Sequence, residues 1–233
     1  MRFFLRHWMD IGGIAVIPLI LWAVFGGWST VQTILILNFA ALLVHQFEEY
    51  RFPGGEPWII NELGGNNHGA VDRGPTNHLT RIFINVVAAW PFYIVPVFFP
   101  EVVWLGLAPI LFGMGFQVGV HIFWNNIRLK SIYNPGVIAV VLGHVPLGIW
   151  YLVEVYQQNL IQWWDWVAAI VYNGVFVAVL LWVISAIGPR GTANYQYSVA
   201  EYNRFDRERR LRRVGITPGV VPSSDAAVDT ARS

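Results

Sequence analysis

Val44-His45-Gln46-Phe47-Glu48-Glu49-Tyr50 closes an apolar run that begins near Val31 and is long enough to cross a bilayer. At about 3.6 residues per helical turn, His45 shares a face with Glu48, three residues on, and Glu49, four residues on. An imidazole and two carboxylates can therefore converge. Ionisable groups within a membrane helix are costly and usually face a bundle interior, where they pair, bind a metal or carry out chemistry. The plainer alternative is a pair of carboxylates snorkelling at the interface beside a core histidine.

The rest of the chain has the composition of a membrane protein. Of its 233 residues 55% are hydrophobic and only 12% charged, and its mean hydropathy is +0.49. With no cysteine, disulfides, thiolate catalysis and Cys-ligated zinc or iron-sulfur sites are excluded, so a metal here must use imidazole, carboxylate or amide oxygen. Nothing in the sequence points to nucleic acid. The arginines before the first apolar run resemble a signal peptide, but the run lacks a small-x-small cleavage site, so it reads as a retained span.

A bilayer core of about 30 Å takes about 20 helical residues. Six runs of that kind lie approximately at Ile11 to Trp28, Val31 to Tyr50, Ile82 to Phe99, Val102 to Trp124, Val137 to Tyr156 and Trp163 to Ile187. The predicted fold is all-α and polytopic, with a six-span membrane domain over residues 1–188 and a tail over 189–233. A polar loop, 51–81, separates the second and third spans. With six spans, all fifteen Lys and Arg residues fall on one side, which predicts cytoplasmic termini. Trp28, Trp104, Trp163, Trp164 and Trp166 gather at the opposite ends as an aromatic belt would. In the tail, Arg204 to Arg213 would favour anionic lipid headgroups or form a solvated basic helix, and the stretch beyond Gly215 reads as disordered.

Depth links the histidines. Counting about 1.5 Å per residue from the nearest interfacial Arg or Gly, His45 lies about 9 Å in, His121 about 10 Å and His144 about 12 Å. Three spans thus place an imidazole at nearly one level of the cytoplasmic leaflet. Asn125 follows His121 by one turn on the same face. The Gly- and Asn-rich loop adds His68 and His78, while His7, beside Trp8, reads as structural.

His45-x-x-Glu48-Glu49, the loop with His68 and Asn77-His78, then His121, Asn125, Tyr133-x-Pro135-Gly136 and His144 together resemble the HXXEE-motif family of integral membrane proteins. The resemblance covers roughly Ile34 to Gly148 and implies a helical membrane fold, with no settled activity attached. A fainter likeness is to the CAAX-type membrane glutamic endopeptidases, through Glu48-Glu49 and His121-x-x-x-Asn125. Their pattern asks for an arginine where this chain has Pro53.

The leading expectation is a membrane-embedded metal-dependent enzyme, acting by hydrolysis or oxidation on a lipophilic substrate. His45, Glu48, Glu49, His68, His78, His121 and His144 are the candidate ligands for a divalent metal, zinc or iron. Glu48, Glu49 and Asn125 are the candidate catalytic groups, one carboxylate serving as general base. Two alternatives stand beside it. One is a metal-free glutamate-dependent hydrolase; the other is an ion- or proton-coupled transporter, against which the outer halves of the spans offer few polar groups beyond Gln32 and Asn38.

Overall fold

A computed structural model describes residues 2–64, 71–188 and 195–222 of the chain. In chain order the helices are α1 (Phe3–Phe25), α2 (Thr30–Tyr50), the short α3 (Glu56–Trp58), α4 (His78–Phe98), α5 (Val103–Leu129), α6 (Val137–Gln157), α7 (Trp163–Ile187), α8 (Val199–Tyr202) and α9 (Arg207–Arg213). Six of them, all but α3, α8 and α9, are long and apolar enough to cross a membrane. There is no strand among the described residues.

Several helices outrun the apolar stretches that mark them. Helix α1 starts at Phe3 and not near Ile11, and α5 continues past Trp124 to Leu129, where Lys130 adopts a left-handed φ of 48° and ends it. Helix α4 begins at His78, four residues before the expected Ile82, because Asn77 caps it. The Asn77 side chain accepts from Leu79 N (3.0 Å) and Thr80 N (3.2 Å), while Thr80 Oγ1 accepts from Asn77 N (2.9 Å). Reciprocal capping of this kind satisfies donors that a helix start leaves free, so hydrophobicity does not set the boundary.

Helix α2 forms the axis of the bundle. It packs against α1, α4 and α6, α5 packs on α6, and α7 packs on α5. Ile34, Leu35, Ile36, Leu42 and Leu43 of α2 are all buried. In lipid, apolar surface gives little drive to associate, so close packing and polar contacts between helices must hold the bundle. Gln46 is one such tie: its Nε2 donates to Asn85 Oδ1 on α4 (3.1 Å) and its Oε1 accepts from Trp90 Nε1 (2.9 Å). Tyr151 Oη on α6 donates to Val103 O on α5 (3.1 Å), and Gln32 Nε2 to Val97 O (3.0 Å). Each such bond contributes of the order of 0.6 kcal/mol in a membrane.

The described part of the tail is folded, unlike the solvated basic helix and disordered extension expected from composition. Tyr197, Tyr202 and Leu211 pack with Trp58, Ile59 and Leu63 beside α3 and with Leu129 at the end of α5. Arg207 is turned inward and buried, where its Nε and Nη2 meet Glu62 Oε1 (2.5 Å) and Oε2 (2.8 Å). Gly219 N donates to the same carboxylate (2.8 Å), which orders the chain beyond Gly215. The six arginines of the 204–213 stretch therefore do not share one solvent face. Loop and tail together form a cap on one end of the bundle. Residues 189–194 and 223–233, part of the expected tail, lie outside the described residues.

Candidate metal centre

His45 comes from α2, His121 from α5, and both lie where the helices are fully enclosed, each 1% exposed. His121 sits in a widened π-type turn, Gly119–Asn125, and His144 in another, Val140–His144. Such turns re-aim side chains and are frequent at functional sites. Glu49 Oε1 lies 3.3 Å from His45 Nε2 and 3.5 Å from His121 Nε2. The two imidazoles meet nearly at right angles, 4.8 Å between centroids. Ligands held tetrahedrally at about 2.0–2.1 Å from one ion are about 3.3 Å apart. The spacing of the carboxylate oxygen from each nitrogen thus matches two edges of a coordination polyhedron.

The outer nitrogens fix the chemistry of the inner ones. His45 Nδ1 lies 3.2 Å from Gly136 O; a carbonyl can only accept, so this nitrogen carries the proton. His121 Nδ1 lies 2.7 Å from Asn134 Oδ1. Asn134 Nδ2 donates to His121 O and Asn126 Oδ1, both at 2.7 Å, so its oxygen must face the ring and His121 Nδ1 is again the donor. In both neutral rings the lone pair is then on Nε2. Neither Nε2 has a hydrogen-bond partner among the described residues. Imidazoles oriented by an outer-sphere carbonyl, with a bare inner nitrogen beside a carboxylate, are the arrangement found around bound metals.

His144 borders this group without joining it. Its ring centroid is 5.8 Å from that of His45, its Nδ1 is 2.8 Å from Asn38 Oδ1, and its Nε2 is also unpartnered. Asn38 Nδ2 has no partner of its own, so the Asn38 orientation is not fixed independently. A Cβ at Gly113 would lie 2.6 Å from His144 Nδ1, so glycine there lets α5 approach the ring.

Glu48 and His78 are placed elsewhere, which corrects their assignment to the ligand set. Glu48 Oε1 accepts from Tyr133 Oη (3.0 Å) and Ile138 N (3.4 Å), and its Oε2 from Ala139 N (3.0 Å). It caps the first turn of α6, where free amides and the helix dipole favour an anion. Glu48 and Glu49 leave the helix about 100° apart on either side of the His45 direction, and with Glu48 taken by Tyr133 and the first turn of α6 only Glu49 turns to the histidines. His78 stacks 4.8 Å from Tyr197, and its Nε2 is 3.5 Å from Glu201 Oε2, which ties α4 to the tail. Asn125 is buried beside the centre, its Nδ2 3.5 Å from Asn134 Oδ1. His7 pairs with Asp10 at 2.8 Å. His68 lies outside the described residues.

Three supporting roles escaped the sequence reading. Asn134 holds His121, yet it is the position left unspecified in Tyr133-x-Pro135-Gly136. Gly136 holds His45 through its carbonyl at a φ of +100°, and a Cβ there would lie 2.5 Å from His121 Cε1 and 2.8 Å from His45 Cε1; both constraints require glycine. Glu56, in the polar loop, is only 3% exposed, and its Oε2 has no partner among the described residues. Burial pushes the Glu56 carboxyl up to about 8, with the charge of Glu49 adding to the rise and His121 and Arg81 opposing it. Glu56 therefore stands within electrostatic reach of the centre.

Six apolar helices enclosing a His/Glu cluster define a polytopic membrane protein with a candidate metal centre. Residues 36–151 match the model of the family described as protein of unknown function with HXXEE motif. That stretch contains His45, Glu49, His121, Asn134, Gly136 and His144, and it belongs to this family. No curated protein and no solved structure matches the chain.

Proposed function

We propose that the protein is a membrane-embedded metal-dependent enzyme whose centre is held by His45, Glu49 and His121, on the side of the membrane that the arginines assign to the cytoplasm. The observation that supports this most is the pair of bare, buried Nε2 atoms on either side of the Glu49 carboxylate. Lone pairs and an anion gathered in a low-dielectric interior repel one another, and a cation is what would hold them there. Two imidazoles and one carboxylate suit zinc, and equally a non-haem iron site with open positions.

A divalent ion in this place would supply Lewis-acid activation of water or of a substrate carbonyl. The chain's own groups provide the rest. Gly136 and Asn134 keep the two rings in one tautomer and orientation. Glu48, engaged by α6, holds Gly136 against α2. Glu56, whose Oε2 is unpartnered, is the buried carboxyl left to take up or release a proton. This reading moves the base from the Glu48-Glu49 pair to the loop. A lipophilic substrate follows from the enclosure of the centre within the helices.

Elemental analysis of detergent-purified protein tests the proposal. The native chain should carry close to one equivalent of zinc or iron, and His121→Ala should carry almost none. Equal metal content in the two, or none in either, would overturn it.

A further inference from the structure

A cleft of about 470 Å³ opens between α3 with its following turn and α5, a volume typical of small-molecule sites, about 300–1,000 Å³. Ile60, Phe116, Val120 and Trp124 give it an apolar wall, and Glu56 and Asn125 line its polar end. Phe116, Trp124 and Val120 stand on the membrane-spanning part of α5, so the cleft is open toward lipid; Phe116 is 45% and Trp124 54% exposed. From Phe116 to Asn125 α5 rises about 13 Å, close to the depth of one hydrocarbon leaflet.

We propose that this cleft seats a single-chain amphiphile, its alkyl chain lying along Phe116, Val120 and Trp124 and its polar head at Glu56 and Asn125. The inference rests on the metal-centre reading and names its substrate class. Orientation carries the argument. Glu56 Oε2 is a buried carboxyl oxygen with no partner among the described residues, and leaving such an atom unmet is costly; a hydroxyl on the head, which can donate or accept, would satisfy it in either protonation state. Asn125 belongs to the same π-type turn as His121 and contacts Asn134, which orients that ring. The head end of the ligand is therefore the end nearest the centre. It follows that the bond presented for reaction is the head linkage and not a carbon deep in the chain.

Two other apolar clefts among the described residues lack this feature. Those beside α1, lined by Gly13, Val44 and Phe47 or by Val16, Leu142 and Trp150, run along the bundle surface. The acid at the end of the first, Asp10, is already taken by His7 and Arg51. Volume also selects the ligand: about 470 Å³ lies toward the low end of small-molecule sites, which suits one chain better than two.

The test is photolabelling in phosphatidylcholine nanodiscs with a monoacylglycerol that carries a diazirine near its chain terminus. Labelled peptides should map to the Phe116–Trp124 stretch. Gly119 lines the cleft and a Cβ there would meet nothing within 4 Å, so Gly119→Leu adds side-chain bulk at the cleft with no clash at its Cβ. It should lower labelling at least about tenfold, the factor that accompanies 1.4 kcal/mol. Gly115→Leu, equally open but outside the cleft, should leave labelling unchanged. Should Gly119→Leu fail to accumulate, competition on the native chain decides: unlabelled monoacylglycerol should displace the probe and added phosphatidylcholine should not. Labelling that survives Gly119→Leu, or that spreads evenly over α1 and α7 as annular lipid would give, overturns the inference. Metal content is measured on the same samples. Specific labelling without metal would sink the metal centre and leave the cleft, whereas metal with unspecific labelling would sink the cleft alone.

Discussion

Glu62 in the cap and Glu49 in the bundle are buried to a similar degree, 3% and 7% exposed, yet their surroundings differ in kind. Both oxygens of Glu62 are met by the Arg207 guanidinium, and Gly219 N adds a third donor. Arg207 in turn reaches Gly219 O (2.6 Å) and Asn203 Oδ1 (3.1 Å). A forked, charge-assisted pair of this kind is complete within the protein. Glu49 faces two nitrogens that hold no hydrogen toward it when neutral, at 3.3 and 3.5 Å. Similar carboxylates with similar burial have thus been given opposite treatment. One is closed by its own chain, and the other faces two imidazole nitrogens that have no hydrogen-bond partner among the described residues. The contrast separates a carboxylate that its own chain satisfies from one that it does not.

The sharpest way to break that contrast is to open the closed pair. Arg207→Ala leaves Glu62 buried and unpaired, a change that costs about 3–5 kcal/mol. Limited proteolysis should then cut the loop and tail while the six helices stay intact. Arg207→Met with Glu62→Leu should recover most of the loss, since a well-packed apolar pair replaces a buried ion pair at little cost. If Arg207→Ala is as protease-resistant as the native chain, the cap is not held by this pair.

Loading the open site should have the opposite sign. Added zinc or iron should raise the melting temperature of metal-stripped native protein, by about 2.7 kcal/mol of stability at 100 times the dissociation constant. The same addition should leave His121→Ala where it was. A shift of equal size in the variant would show that the metal acts outside His45, Glu49 and His121.

A finer cut removes a support and spares the ligands. Asn134→Ala takes away the acceptor that orients His121, and loss of such an outer contact lowers metal affinity by about 10–100-fold. Competition against a chelator of known affinity would measure it. Unchanged affinity would mean that His121 is oriented by packing alone.

The smallest expected effect concerns Glu201, which joins the tail to α4. Burial would raise its carboxyl, but the neighbouring His78 ring, 3.5 Å away, and hydrogen bonds from Ser198 outweigh burial and hold it at about 2. A carboxyl lowered on folding stabilises the folded state fully above its unfolded value, about 4.3, and this contribution fades as pH falls toward 2. Thermal melts of Glu201→Gln and the native chain should therefore differ most near pH 6 and converge on acidification. A difference that stays constant with pH would show that Glu201 acts by hydrogen bonding alone.

The bundle was legible in the sequence because six apolar runs carry the same message at every residue, and lipid tolerates few other arrangements. Its ends were less so: the start of α4 is set by Asn77 and Thr80, two residues that hydropathy reads as loop. In the centre, the common depth of His45, His121 and His144 followed from counting residues along helices. The separation of Glu48 from Glu49 did not, because α6 must be positioned before its first turn can claim Glu48. The cap was hidden for a different reason. Trp58, Ile59 and Leu63 are too few to announce a core until Tyr202 and Leu211, far along the chain, are laid over them. Polar loops that fold and polar loops that stay hydrated have the same composition.

The clasp between Glu62, Arg207 and Gly219 also orders events in time. The ribosome makes Glu62 before α4, α5, α6 and α7, and makes Arg207 and Gly219 after all of them. His45, Glu49 and His121 are consequently assembled in the bilayer while the loop bearing Glu62 still lacks its fastener. During that interval the segment that carries Glu62 and, six residues before it, Glu56 is held by neither Arg207 nor Gly219. The cap can thereby close only after all six long helices have been made.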